Sequence, residues 1–176
     1  MSTLKATNLK NESSATNNLT LDASGNVTAS GDVTVTGDLS VGGAVSLNPT
    51  IGSNSHTAGF ESSTSTSYVD LTTAQSVTLT TGTKALVHFS MTAYANVGQQ
   101  LWTSVAVSGA STISASDNWS IYYRPAASGY AIRTGVTHLF TGLTAGSNTF
   151  TLKFKVDAGS TGNWNNRELI VIDMGS

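Results

Sequence analysis

The sequence predicts an all-β protein, in which a trimeric shaft of six-residue repeats precedes a β-sandwich head of jelly-roll type. Three observations support this fold class. Ser and Thr contribute 25 and 27 of the 176 residues, and Gly contributes 17. β-branched residues favour strands and Gly favours tight turns, whereas strong helix formers are scarce. Charged residues make up only 10% of the chain, unlike the composition of disordered proteins, so we expect the chain to fold.

Residues 25–48 repeat with a period of six, in four units that follow one another without a gap. Each unit begins with Gly and carries apolar residues at its third and fifth positions. A spacing of two places each pair on one face of a short strand, and the Gly at the start of each unit favours a turn. The eight apolar positions are Val27, Ala29, Val33, Val35, Leu39, Val41, Val45 and Leu47.

These repeats cannot form a stable structure from one chain alone. Burial of eight apolar side chains contributes at most roughly 10 to 20 kcal/mol, whereas ordering the four units costs on the order of 24 to 48 kcal/mol of backbone entropy. We therefore predict that three parallel copies wind around a common axis over residues 19–50, as a triple β-helix or β-prism with the apolar pairs at its centre. The alternative is a flexible linker, although linkers do not usually keep apolar pairs in phase over four units.

The segments on either side of the shaft have no clear period. Residues 1–18 contain few apolar residues, and they are either a docking peptide or a disordered end. Residues 51–66 are dense in Ser, Thr, Gly and Asn, and we predict a linker there.

Residues 67–176 show the alternation of apolar and polar residues that is typical of strands with one wet face. The clearest case is 149–156, where four apolar residues share one face and Thr and Lys occupy the other. Turn sequences separate about eight to ten such strands, which fits a jelly-roll sandwich. The last strand, at 169–172, is apolar on both faces and is either central in the domain or covered by another subunit. Because of the shaft, we favour the second option.

Charge and composition argue against several functions. The formal net charge is −2 and only eight residues are Lys or Arg, so we expect no nucleic-acid partner. No apolar run approaches the roughly 20 residues that span a bilayer, and we expect no membrane insertion and no secretion signal. Cys is absent, which favours folding in a cytoplasm.

Motifs for catalysis or metal binding are not found in the sequence. His56, His88 and His138 lie in separate segments, and no zinc, phosphate-loop or nucleophile-elbow pattern occurs. We expect no enzymatic activity, no metal and no cofactor, and we expect the histidines to be hydrogen-bonded sheet residues.

Several segments resemble fibre proteins of tailed phages, especially marine and cyanobacterial phages. The similarity to the N-terminal parts of these fibres lies in residues 1–5, 19–28 and 31–41. The similarity to their jelly-roll knobs lies in residues 64–71, 76–90, 142–155 and 166–173. The resemblance covers most of the chain, through β patterns rather than catalytic signatures.

The resemblance implies a virion structural protein, made in the host cytoplasm and displayed on the virion surface. Residues 1–18 would then anchor the chain to another virion protein, and the knobs at 67–176 would face outward. We expect a homotrimeric short fibre or spike that adsorbs to the host surface. Two alternatives remain open: a capsid decoration protein that stabilises the shell, and a carbohydrate-binding module or depolymerase fragment.

Aromatic residues near polar side chains are candidates for contact with a host-surface polysaccharide, because aromatic faces stack on sugar rings and Asn and Arg donate to hydroxyls. The alternative is that these rings fill the sandwich rim or a subunit interface. The candidate residues are Trp119, Tyr122, Tyr123, Tyr130, Trp164 and Arg167.

Overall fold

The computed structural model describes residues 8–9, 19–24, 26–31, 33, 36, 38 and 49–175. The chain divides into two compact units, Met1–Ser46 and Leu47–Ser176. In the described residues every regular element is a strand, apart from one turn of 3₁₀ helix at Asp117–Trp119. The all-β prediction is therefore confirmed. Within the same residues, no helix has the length and apolar character that crossing a bilayer would require.

The first unit contains a three-stranded antiparallel sheet in the order β1–β2–β3. Its strands are β1 (Asn8–Leu9), β2 (Leu19–Leu21) and β3 (Val27–Ala29). The β2–β3 turn is held by Asp22, whose carboxylate accepts two backbone N–H groups of the turn at 2.8 and 2.9 Å. The first strand of the repeats thus pairs within its own chain, whereas we predicted pairing between parallel copies.

Three of the eight predicted shaft positions lie in the described residues. Val27 and Val33 are exposed, by 62% and 69%, and Ala29 is half-buried. The others, which lie outside the described residues, are Val35, Leu39, Val41, Val45 and Leu47. The trimeric shaft therefore stays a prediction.

The second unit, here called the head, is a sandwich of two antiparallel sheets. Its strands are β4 (Ile51–His56), β5 (Glu61–Ser63), β6 (Ser76–Thr81), β7 (Lys84–Tyr94), β8 (Leu101–Gly109), β9 (Ile121–Tyr123), β10 (Ala131–Thr141), β11 (Gly146–Val156) and β12 (Gly162–Asp173). The five-stranded sheet has the order β10–β7–β12–β4, with β5 also paired to β12. The four-stranded sheet has the order β6–β11–β8–β9.

The strand pairing identifies a jelly roll. Four of the antiparallel pairs in the head are β4–β12, β6–β11, β7–β10 and β8–β9. Successive pairs alternate between the two sheets, as they do when one long hairpin is rolled over itself. This order confirms the jelly-roll prediction for the head.

The core lies between the sheets and follows the alternation of the sequence. In β7, five alternate residues are fully buried: Ala85, Val87, Phe89, Met91 and Ala93. In β11, the four apolar residues are at most 2% exposed, and the Thr and Lys residues between them face outward. Strands with one apolar face are stable here because the two sheets bury these faces against each other.

The segment 51–66, predicted as a linker, instead contains β4 and β5. β4 pairs with β12 from Ile51 to His56, and β5 pairs with the start of β12. The linker prediction was wrong because β4 lies at the edge of its sheet, where backbone hydrogen bonds to β12 hold a strand of mostly small polar residues. No apolar alternation in the sequence marks such a strand.

The last strand, β12, lies between β7 and β4. Leu169 and Val171 are fully buried in the core, while Ile170 and Ile172 are half-buried on the outer face. β12 is therefore central in its sheet, and the covering of its outer face by another subunit stays a prediction. The outer-face residues of β12 nevertheless keep apolar surface in contact with solvent.

Candidate functional site

The outer face of the four-stranded sheet carries a row of aromatic side chains. We call it the aromatic platform, and it consists of Tyr68, Trp102, Tyr122, Lys155 and Asp117. Lys155 on β11 opposes Trp102 on β8, and Trp102 opposes Tyr122 on β9. On the other side of β11, Val69 forms an isolated antiparallel β-bridge with Phe154. In this register the preceding residue, Tyr68, lies opposite Lys155. Opposed residues of antiparallel strands share a face, so the three rings form a row across the strands.

Lys155 joins two of these rings. Its Nζ lies 4.8 Å from the ring centroid of Tyr68 and 4.8 Å from that of Trp102, within the range of cation–π attraction. The same Nζ is 2.7 Å from a carboxylate oxygen of Asp117. The Tyr68 hydroxyl donates a hydrogen bond of 2.8 Å to Asp117. This closed set of contacts fixes the side chains of the platform relative to one another.

The protonation states on the platform follow from these contacts. Burial raises the pKa of Tyr68 above its usual range, and the hydrogen bond to Asp117 raises this pKa further. The hydrogen bond from Lys155 lowers the pKa of Asp117, and the bond from the Tyr68 hydroxyl lowers it further. At neutral pH Tyr68 is therefore a neutral donor and Asp117 an ionised acceptor.

The far end of the platform is formed by Tyr122, which is 51% exposed. Its ring centroid lies 5.2 Å from that of Trp102, with 49° between the ring planes. Its hydroxyl donates to Oε1 of Gln100 at 3.0 Å. The backbone N–H of Gln100 donates to the carboxylate of Asp157 at 2.9 Å. Polar groups thus border the exposed rings.

Four of the six predicted glycan residues lie at or near the surface, in different places, and one of them, Tyr130, is 68% exposed outside the platform. Tyr122 belongs to the platform. Trp119 stacks on His138 at 5.3 Å and donates its Nε1–H to the carbonyl of Val105 at 3.0 Å, so it is a packing residue. Tyr123 packs against the core and donates to the carbonyl of Tyr130 at 3.1 Å.

The other two predicted glycan residues, Trp164 and Arg167, are fully buried, which corrects their assignment as surface contacts. Trp164 packs on Phe154 with 5.2 Å between ring centroids, and the Arg167 guanidinium lies 5.6 Å from the same ring. The cause is a bulge between Asn165 and Glu168. The extra residue changes which side chains of β12 face inward, and so directs Arg167 into the sandwich.

Arg167 belongs to a buried polar cluster with Glu61 and His56. Its Nη2 lies 2.8 Å from Oε2 of Glu61, and Nε2 of His56 lies 3.7 Å from Oε1. Nη2 is thus paired with the Glu61 carboxylate, whereas Nε and Nη1 have no hydrogen-bond partner within the described residues. Both Glu61 oxygens accept the Thr73 N–H at 3.2 Å. Burial works to raise the pKa of Glu61, but the bonds from Thr73 and Arg167 outweigh it and lower this pKa.

Trp102 and Tyr68 were not among the predicted site residues. One signal for Trp102 was present, because it alternates with Ser104, Ala106 and Ser108 on the polar side of β8. A Trp among small residues on the side of a strand that faces away from the core indicates a ring that is not needed for core packing. Tyr68 carries no comparable signal, since its place in the row depends on pairing with β11.

The outer face of the five-stranded sheet carries a second surface, which we call the apolar row. It consists of Ile51, Ile172, Leu86 and Leu139, which oppose one another on four neighbouring strands. Ile51 and Leu139 are 56% and 45% exposed, and the other two are half-buried. At a strand spacing of about 4.8 Å the row is about 14 Å long. The next row along the strands, from Ser53 to Thr137, is more polar.

No family model matches the chain, and no curated protein matches its sequence. Among solved structures, a chain of the infectious bursal disease virus Gx strain gives a TM-score of 0.48 at 11% identity, covering 73% of this chain and 33% of that one. A chain of the Gt strain gives a TM-score of 0.45 at 12% identity, covering 84% of this chain and 38% of that one. This chain therefore spans well under half of either structure's chain. The likeness is remote and implies no shared function.

Proposed function

We propose that the protein is a virion structural protein, a homotrimeric short fibre or spike. Its N-terminal segment attaches to another protein of a phage particle, and its jelly-roll heads face outward for adsorption to a host surface. The observation that carries the proposal is the apolar row, which supports contact between copies of the head. The row begins at Ile51, the first residue of β4 and so of the head's first strand. The six-residue repeats, for which we predict three copies around one axis, end at residue 48.

The position of the apolar row supports contact between heads. Three chains held together by their repeats hold their Ile51 residues within a short distance of one another. At this end of the sheet the outer face is apolar, and away from it the face becomes polar through His88 and Thr137. A sheet face that is apolar at one end only is expected where neighbouring copies cover that end.

Light scattering on the purified full chain tests the trimer, which should have three times the chain mass of 18.1 kDa. Leu86→Asp combined with Ile172→Asp places charges on the apolar row and should lower the mass or loosen the trimer. Thr80→Asp, on the wet face of the other sheet, is the matched control and should leave the mass unchanged. Val35→Asp with Val41→Asp tests the shaft separately. A monomeric wild-type chain would refute the proposal.

Labelling of phage particles with an antibody against the head tests the virion role. A short fibre or spike should appear in tens of copies at the tail or neck. Hundreds of copies over the shell would instead favour capsid decoration, and particles without label would contradict a virion protein.

A further inference from the structure

We propose that the aromatic platform binds neutral polysaccharide, with hexopyranose units stacked on Trp102 and Tyr122 and their hydroxyls bonded to Asp117 and Gln100. This inference rests on the adsorption role in the proposed function, and it names the class of host-surface molecule that the heads hold. It does not depend on the trimer.

The exposure and the spacing of the two rings suit contact with consecutive sugars. Tyr122 is 51% exposed and Trp102 is partly exposed, so both offer ring area to a ligand. The C–H groups on one face of a pyranose pack against an aromatic ring, which supplies a large contact area at a low cost in side-chain entropy. The strand spacing of about 4.8 Å is similar to the length of one hexopyranose, so successive sugars can meet successive strands.

The charges of the platform favour a neutral ligand. Lys155 is paired with Asp117 at 2.7 Å, and the next outward lysine on β11, Lys153, is paired with Asp70 at 2.8 Å. Two ammonium groups are thus balanced by two carboxylates, and the face has no surplus positive charge to attract a polyanion. The carboxylate and amide oxygens can accept from sugar hydroxyls, and the Gln100 amide can donate to them.

The surroundings of the platform favour a sugar over a second copy of the chain. Beyond Lys153 the same face continues with hydroxyl pairs, Ser76 with Thr151 at 2.9 Å and Thr78 with Thr149 at 2.8 Å. The centres of interfaces between identical subunits are usually more apolar than this. The apolar row on the opposite sheet fits a second copy better.

Binding of the full-length protein to immobilised mannan, dextran and galactan tests the site, with heparin as the polyanionic probe. We expect binding to at least one neutral polysaccharide that persists in high salt, and none to heparin. Trp102→Ala and Tyr122→Ala should each weaken binding by about tenfold or more, while Trp102→Phe keeps most of it. Phe60→Ala is the matched control, because Phe60 is 47% exposed and lies outside the platform. Thermal unfolding midpoints equal to that of the wild type show that the variants fold.

The site is overturned if the folded protein binds none of the three neutral polysaccharides, if it binds heparin alone, or if Trp102→Ala binds as tightly as the wild type. The mass of the same preparation separates this outcome from the proposed function. A trimer that binds no neutral glycan refutes glycan binding at the platform and leaves the proposed trimer standing. A monomer that binds through Trp102 and Tyr122 supports glycan binding and refutes the trimer.

Discussion

Glu61→Gln should destabilise the head strongly, because it leaves the Arg167 guanidinium buried without a countercharge. The Arg167 side chain is 0% exposed and that of Glu61 is 16% exposed. Removing one partner of a buried ion pair costs about 3 to 5 kcal/mol. The side-chain carbonyl of the new Gln can still accept a hydrogen bond from the Thr73 N–H. The loss of unfolding free energy therefore measures the missing negative charge and not a missing acceptor.

Urea unfolding followed by tryptophan fluorescence measures this loss, at a fixed chain concentration because oligomer stability depends on concentration. With a slope of about 2 kcal/mol per molar urea, the midpoint should fall by about 1.5 to 2.5 M. Glu168→Gln removes a carboxylate from the outer face of the same sheet and is the matched control, with an expected change within about 0.5 kcal/mol. The double variant Glu61→Gln with Arg167→Met leaves no buried charge and should recover part of the loss.

The same pair predicts a pH dependence. The folded pKa of Glu61 is lowered, so its ionised form contributes stability above the unfolded pKa. This contribution is lost as the pH falls through the folded pKa. The difference in unfolding free energy between wild type and Glu61→Gln should therefore shrink from about pH 5 downward. Two results would refute the reasoning. One is a loss of unfolding free energy below about 1 kcal/mol in Glu61→Gln. The other is a loss in the double variant that equals the sum of the losses in Glu61→Gln alone and Arg167→Met alone.

Two further variants separate packing from surface roles. Trp164→Ala should cost about 3 to 5 kcal/mol of unfolding free energy, because Trp164 is fully buried and its removal leaves a cavity; a melt unchanged from wild type would contradict its place in the core. Asp117→Asn breaks an ion pair whose carboxylate is 55% exposed, and should cost less than about 1 kcal/mol in the urea assay. Since the folded pKa of Asp117 is lowered, that small cost should disappear in acid, and a cost that grows as the pH falls would contradict the assignment.

The central strands of the head could be predicted from the sequence, but β4 and β5 could not. β7 and β11 alternate apolar and polar residues along their length, and the core selects one face of each. β4 is held by the backbone of β12, more than 100 residues away in the chain. Its own side chains contribute little to the core, so local patterns do not mark it.

The candidate site was missed for a related reason. The platform gathers residues from four segments, and only the register between these segments brings Tyr68, Trp102 and Lys155 together. Strict alternation from Trp164 would have placed Arg167 outward. The bulge at Asn166, with its positive φ of 45°, reverses that direction. Neither a register nor a bulge can be obtained from composition and periodicity.

The pairing of β4 with β12 places the two ends of the head side by side, where the backbone N–H of Asp173 donates to the carbonyl of Thr50 at 2.9 Å. A short Gly-rich connection could therefore join these ends, and new termini could be opened in the exposed 126–129 turn. Such a circular permutant would keep every strand pair of the jelly roll while detaching it from the repeats. It would allow the folding of the head to be measured without the segment that precedes it.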